Sequence, residues 1–342
     1  MNQNAEIIKK AISGSLKVIE QEREQEIISR RFGLNNGKET LEQIGESLSI
    51  TRERVRQLEK AVLIHLQILA EDGEIPEISA AEKILVRNLV EMGRVSKLSE
   101  LADKVYGKDT STSERAGIYF IATLAKGLMV VEENDRYFAS IGIAEYGDSS
   151  TVRGRVDEIV SVIRKNKSPM TLDELDEKLD YEHPDYIRAV ASISKLLATL
   201  NGVWGLTKWP SVNPKNIRDK IFVILESHRE PMHFSDIAEE IKSSNFKRKN
   251  VTVQAIHNEL IKDSRFVLIG RGIYALSSWG YKKGTIADII RSILEKSDKP
   301  LTREEIVKQV LRVRKVKETT ILLNLQNKKL FKKIDRNSYT VA

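Results

Sequence analysis

Apolar residues in the first third of this chain recur at three- and four-residue spacings, the period of helices that bury one face. Ile44, Leu48, Val55, Leu58 and Val62 make such a series and predict a single apolar seam across two helices. Thr40-Leu41-Glu42-Gln43 has the form of a capping box, in which side chains satisfy the free amides of a helix start. Gly45 falls in the first helix and Val55 in the second, where two steeply crossing helices need a small residue and an apolar plug. Ser49-Ile50 supplies the turn between them, and Thr51 is a natural N-cap for the second helix.

Farther along, the pattern repeats at a spacing on the order of 65 residues, the size of a small helical module. Three segments run helix, Pro-apolar-polar, second helix, third helix, strand-like end. Their anchors are Pro169-Met170-Thr171-Leu172-Asp173-Glu174-Leu175, Pro231-Met232-His233-Phe234-Ser235-Asp236-Ile237 and Pro300-Leu301-Thr302-Arg303-Glu304-Glu305-Ile306. Thr171 with Glu174 and Thr302 with Glu305 are capping boxes. A looser copy without the Pro, Gly93-Arg94-Val95-Ser96-Lys97-Leu98, precedes them. Each copy ends in β-formers, at 128–138, 203–209, 266–276 and 330–341, with Gly202, Gly270, Gly272 and Asn337 at positions where a hairpin needs tight turns. Three helices and a hairpin are the layout of a winged helix.

The fold class expected is therefore mainly α with small β-hairpin wings, an N-terminal helix-turn-helix followed by tandem winged-helix domains. The expected domains are 1–73, 77–146, 151–212, 216–282 and 284–342, with joints around Asp72 to Pro76, Gly147 to Ser150, Pro210 to Pro214 and Lys282 to Gly284.

Composition narrows the chemistry. The chain has 342 residues, no Cys and five scattered His, so disulfides, thiolate zinc sites and cysteine nucleophiles are excluded. No metal, cofactor or small-molecule substrate is expected. No run of 18 or more apolar residues exists, and the first residues lack the pattern of a secretory signal, so no membrane association and a cytoplasmic, nucleoid-associated location are expected. The net charge of +7 is uneven: Lys283 to Ala342 carries 15 Lys/Arg against 7 Asp/Glu, a net of +8, whereas Met1 to Asp72 has a net of −1. A positive C-terminal field suits a polyanion such as nucleic acid, and equally a solvated lysine-rich surface.

On the second helix of the N-terminal pair, Arg52, Glu53, Arg56 and Gln57 share one exposed stripe. Arg can pair with guanine, Gln with adenine, and Glu can accept from the cytosine amine, so the stripe suits base edges in a major groove. An exposed helix laced with Glu–Arg pairs is the alternative reading; the preceding turn favours DNA.

Arg31-Phe32-Gly33-Leu34, Thr40-Leu41-Glu42-Gln43-Ile44-Gly45 and Thr51-Arg52-Glu53-Arg54-Val55-Arg56-Gln57-Leu58-Glu59-Lys60-Ala61 together resemble the promoter-binding region 4 of sigma-70 family factors, over about Glu20 to Gln67. The resemblance implies that Arg52, Glu53, Arg56 and Gln57 read bases of the upstream promoter element and that Thr51 and Arg54 hold phosphates, with Lys60 on the same DNA-binding helix. It also implies contact with the RNA polymerase core. Sigma factors carry an aromatic-rich basic domain before this region that melts the promoter. About twenty residues precede the match here, and aromatics are only 6%, so promoter opening is not expected of this chain alone.

The segment Asp219 to Tyr281 resembles the HARE-type winged helix of the bacterial RNA polymerase delta subunit, through Glu230-Pro231-Met232-His233-Phe234-Ser235-Asp236-Ile237 and Gly272-Ile273-Tyr274-Ala275-Leu276-Ser277-Ser278-Trp279. The copy before it ends Asn201-Gly202-Val203-Trp204-Gly205-Leu206-Thr207-Lys208-Trp209, similar to the same last strand. Lys247, Arg248 and Lys249, with Gln254 and Asn258 on the following helix, are candidate nucleic-acid contacts or a solvated loop. His233 reads as a helix cap, and Trp204, Trp209 and Trp279 as core. Arg312, Arg314, Lys315 and Lys317, then Lys328, Lys329, Lys332 and Lys333, bracket the last helix and wing and suit phosphate contact without sequence choice.

No GxxxxGK[ST], GxGxxG or HExxH motif and no Ser/His/Asp set occurs, so catalysis is not expected. The leading expectation is a sigma-like transcription factor whose partners are double-stranded promoter DNA and bacterial RNA polymerase core. The alternatives are a delta-like polymerase accessory subunit without promoter reading, and a targeting subunit for a DNA modification or restriction system.

Overall fold

Four helices open the chain: α1 (Gln3–Lys17), α2 (Glu22–Phe32), α3 (Leu41–Leu48) and α4 (Arg52–Glu71). They are seen in a computed structural model that describes residues 3–35, 37–107, 109–179, 181, 184–246, 250–281, 283–297, 299–335 and 337–342. Thr40 forms both bonds of the predicted capping box with Gln43. Ser49 makes the turn in a left-handed conformation, φ 55°, its amide donating to the Glu46 and Gly45 carbonyls, and Thr51 accepts from the Arg54 amide.

The predicted seam is in fact two. Ile44, Val55 and Ile27 form a small core with Leu41, Leu48, Ile50 and Leu58 around it. Val62 lies in a different and larger core, with Leu66, Ile8, Ala11, Leu85 and Ile118. The 20-residue helix α4 thus has its front half in the helix-turn-helix and its rear half in the module that follows. A helical period reports that a face is buried but not by what, so the change of partner leaves no mark on the sequence.

After α4 one order of elements recurs four times. The first copy is α5 (Pro76–Glu91), β1 (Val95–Lys97), α6 (Leu98–Tyr106), α7 (Thr112–Leu124), β2 (Leu128–Val131) and β3 (Ser140–Ile143). The second is α8 (Ser149–Asn166), β4 (Met170–Thr171), α9 (Leu172–Asp176), α10 (Pro184–Ser192), β5 (Leu197–Leu200) and β6 (Val203–Leu206). The third is α11 (Ile217–His228), β7 (Met232–His233), α12 (Phe234–Ser243), α13 (Val253–Lys262), β8 (Phe266–Gly270) and β9 (Ile273–Leu276). The fourth is α14 (Ile286–Glu295), β10 (Leu301–Thr302), α15 (Arg303–Val313), α16 (Glu318–Leu325), β11 (Phe331–Lys333) and β12 (Ser338–Val341).

In every copy the last strand lies in the middle of a three-stranded antiparallel sheet, paired with both others. These are four winged helices, and the looser copy at Gly93 is one of them. Thr171 and Thr302 each cap a helix and also pair in the sheet, Thr171 opposite Val203 and Thr302 opposite Ser338. His233 does the same opposite Ile273, its ring nitrogen accepting from the Ser235 amide. The Pro-apolar-polar anchor is therefore a short strand running straight into a cap.

One hairpin begins earlier than its sequence suggests. Its strands are Leu197–Leu200 and Val203–Leu206, turned by Asn201 and Gly202 at φ 50° and 81°, the conformation of a mirror-image two-residue turn. Leu and Ala in the first strand favour helix, which hid it. Trp204 is buried in this sheet, and Trp279 packs on a small core of Val267, Ile269 and Ala275.

The chain divides into two compact units, Met1–Lys208 and Trp209–Ala342. The first holds the helix-turn-helix and the first two winged modules. The second holds the last two.

Candidate nucleic-acid interface

The opening turns of α4 alternate between one buried anchor and a run of surface side chains. Thr51, Arg52, Glu53, Arg54, Arg56, Gln57 and Lys60 are all exposed, and Val55 between them is fully buried against Ile27 and Ile44. The single buried side chain fixes the helix, and its exposed neighbours are presented by it.

Gly45 sets how closely the two helices approach. A Cβ built there would stand 2.7 Å from the Ile50 carbonyl oxygen and 3.4 Å from the Arg52 amide nitrogen. Both neighbours are backbone, so no side chain can rotate aside. Gly45→Ala is expected to destabilise the first unit by ~1–3 kcal/mol, the usual cost of forcing an extra carbon into a packed site. It should also weaken DNA binding by shifting the start of α4. Thermal unfolding together with gel shifts checks this, and an unchanged melting temperature would show that the contact does not set the crossing.

α2 braces this pair. Arg30 donates to Glu39 through two bonds of 3.0 and 2.7 Å, to Glu26 at 2.8 Å and to the Ser47 hydroxyl at 2.8 Å. Arg31 donates to Glu59 and to the Glu39 carbonyl, and Arg23 to the Leu48 carbonyl at 2.8 Å. These arginines hold the loop before α3 and the turn after it. Nothing in their spacing announced that role, because their partners lie up to 28 positions away.

Within the stripe the side chains pair with one another. Arg56 donates twice to Glu53, at 2.9 and 2.6 Å, and Gln57 donates to the same carboxylate at 3.4 Å. Arg56 holds the Glu53 carboxyl below the usual carboxylate range, and Glu53 in turn raises the Arg56 guanidinium. Arg52 reaches Glu42 on α3 at 3.3 Å. In the free protein the stripe is therefore a laced helix, and every member of the lacing is at the surface. Exposed pairs of this kind are worth little, so they can be exchanged for base edges at small cost.

The other predicted positions separate. Lys247, Arg248 and Lys249 lie outside the described residues. Gln254 and Asn258 are exposed on α13, bonded to each other at 3.2 Å. Arg312 and Lys315 are exposed, as are Lys317, Lys328, Lys329, Lys332 and Lys333. Arg314 does not belong with them. It is only 9% exposed, and its guanidinium donates to the Leu268 and Gly284 carbonyls. The adjacent Lys315 amide donates to the Ile269 carbonyl at 3.1 Å. Arg314 joins the last two winged modules and has no guanidinium to offer a phosphate.

Among the described residues no group of three His, Asp or Glu side chains could hold a metal ion, and no helix is long and apolar enough to cross a membrane.

Comparison with known proteins matches two stretches of the chain. Residues 21–67 match the model of sigma-70, region 4, and residues 217–279 match that of HARE-HTH, the ASXL and restriction endonuclease HTH domain. RNA polymerase sigma factor SigA4 of Synechococcus elongatus is 44% identical over 57 residues, which is 16% of this chain and 18% of that protein. RNA polymerase principal sigma factor HrdC of Streptomyces coelicolor is 52% identical over 46 residues, 13% of this chain and 14% of that protein. The chain thus spans less than a fifth of these relatives, and the likeness is to their region 4. The match ends at Gln67, inside α4, where the helix has already entered the core of the first winged module.

Proposed function

We propose that this chain is a sigma-like transcription factor that binds duplex promoter DNA through the first two turns of α4 and engages RNA polymerase core during initiation. The observation that carries the reading is the exposed stripe of Arg52, Glu53, Arg56 and Gln57 on the second helix of a helix-turn-helix, within a stretch that matches sigma-70 region 4. Arg52 and Arg56 supply planar forks for guanine, Gln57 an amide for adenine, and Glu53 an acceptor for a cytosine amine. The Thr51 hydroxyl accepts from its own helix and keeps a proton to donate to a phosphate. Arg54 and Lys60 add charge toward the backbone. In the second unit Arg312, Lys315, Lys317 and the lysines of the last wing are placed to contact phosphates without choosing a sequence. The reading assigns no catalytic step.

Gel shifts with the purified chain on promoter and scrambled duplexes, across a range of salt, test it. Preference for the promoter, with affinity falling as salt rises, is the expected result. Equal binding to both duplexes at every salt concentration would overturn promoter reading. A second reading, favoured by the match over residues 217–279, keeps the polymerase and drops the promoter. It is the one to adopt if core polymerase co-purifies with the chain while the chain alone ignores promoter sequence.

A further inference from the structure

A helix-turn-helix or winged helix ordinarily meets DNA by laying its last helix in the major groove, which requires an exposed polar face on that helix. Three such helices exist in the first unit: α4, α7 and α10. Among the described residues only α4 has that face free.

In α7, Thr112 alone of the thirteen residues is exposed, and Gly117, Ile118, Phe120, Ile121, Ala122 and Leu124 are buried. It is covered from three sides. Ile12 of α1 lies over Gly117, so close that a built Cβ would come within 2.4 Å of its Cδ1. Phe32 of α2 meets Phe120 edge-on, with centroids 5.0 Å apart. Gln67 of α4 donates to the Thr123 carbonyl at 2.8 Å.

In α10, Tyr186, Ile187, Ala189, Val190 and Ala191 are buried, and the exposed Asp185 and Arg188 pair with each other at 3.1 Å. This helix packs on the turn before β1, where a Cβ on Gly93 would come within 2.5 Å of the Asp185 carbonyl oxygen. The β2–β3 wing is also committed. Tyr137 is buried and donates to Asp157 of α8 at 2.9 Å, the Phe138 amide donates to the Ile193 carbonyl at 2.9 Å, and the Arg136 carbonyl accepts from the Lys195 amide at 2.8 Å.

We infer that the two winged modules of the first unit are a DNA-silent brace: α7 is spent on α1, α2 and the rear half of α4, and α10 and the β2–β3 wing on joining the two modules to each other, so that α4 alone in this unit meets DNA. The inference rests on the reading of α4 as the DNA helix. It adds that the modules fix the attitude of that helix rather than widen the DNA contact. Modules of the second unit differ, since Gln254, Asn258 and Lys262 on α13 are exposed, as are Glu318, Thr319 and Leu323 on α16.

The absence of cysteine makes the test direct, because one introduced thiol is the chain's only attachment point. The full chain would carry Ala61→Cys on α4, Thr112→Cys on α7, Asp135→Cys on the wing or Arg188→Cys on α10, each an exposed position. Each variant would be coupled to a photoactivatable aryl azide and irradiated on a promoter duplex. The expected result is a protein–DNA crosslink from Ala61→Cys and only background from the other three. Crosslinks from Thr112→Cys, Asp135→Cys or Arg188→Cys at the α4 level would overturn the brace while leaving α4 reading intact. Silence at all four, with the gel shift preserved, would remove α4 reading and the brace with it. As a second measurement, Arg188→Gln should leave both affinity and its salt dependence unchanged; a weaker, less salt-dependent complex would count against the inference.

Discussion

Replacing Arg52 and Arg56 together by alanine is expected to erase the preference for promoter over scrambled duplex while leaving a weaker, salt-sensitive binding to both. Each lost bidentate contact to guanine costs ~1–3 kcal/mol, so even one of them removes roughly tenfold or more of the discrimination. The two losses will not simply add, because the residues are one turn apart on the same helix. Arg56 is also bonded to Glu53, so its removal frees a carboxylate at the DNA face and adds repulsion to the lost contact. Adding Glu53→Gln to the double variant should therefore recover some general affinity and none of the sequence preference. What survives depends on Arg54, Lys60 and the exposed lysines of the second unit, whose contacts give a linear fall of log affinity with log salt. Gel shifts on both duplexes at several salt concentrations measure the ratio and the slope together. A promoter-to-scrambled ratio equal to that of the unaltered chain would show that these arginines do not read bases.

That the stripe was legible in the sequence at all follows from how much of the helix-turn-helix is local. Thr40 with Gln43, the turn at Ser49-Ile50 and the cap at Thr51 each act within a few residues of where they stand, and Gly45 announces a close crossing simply by lacking a side chain. The repeat was legible for the same reason, since a Pro, a cap and a glycine turn are local devices that recur from module to module. What was hidden is long-range. The strands β1, β4, β7 and β10 are two or three residues long and exist only because the last strand of each module lies beside them. Val62 continues the period of Val55 while packing into a different core. α7 and α10 stand where the pattern predicts a third helix, yet among the described residues neither has a broad polar face left open. For α7 the sequence carries the reason in plain sight: Gly117-Ile118-Tyr119-Phe120-Ile121-Ala122 is apolar all round, the mark of a helix covered on more than one side.

The density of basic residues at 312–317 misled in the opposite sense, because charge counting cannot distinguish a cation in solvent from one held inside. Arg314 and its neighbours therefore give the clearest contrast to measure. Arg314→Ala would strip two backbone carbonyls, those of Leu268 and Gly284, of their charged donor. A hydrogen bond to a charged group contributes ~1.5–3 kcal/mol, and the packing of the long side chain is lost as well. The second unit should consequently melt several degrees lower. Burial already pushes the Arg314 guanidinium down from its usual range, a sign of how little solvent reaches it. Arg314→Lys should restore little, since a single ammonium lacks the planar fork that spans two acceptors. Arg312→Ala with Lys315→Ala should do the reverse. Both side chains are exposed, so stability should change by no more than about 0.5 kcal/mol each. If they face phosphates, the salt slope of DNA binding should fall by ~0.9 for each contact removed. Thermal unfolding and salt-dependent gel shifts on the two variants separate the roles. Arg314→Ala with an unchanged melting temperature and a reduced salt slope would return Arg314 to the DNA face, and the joint between the last two modules would need another explanation.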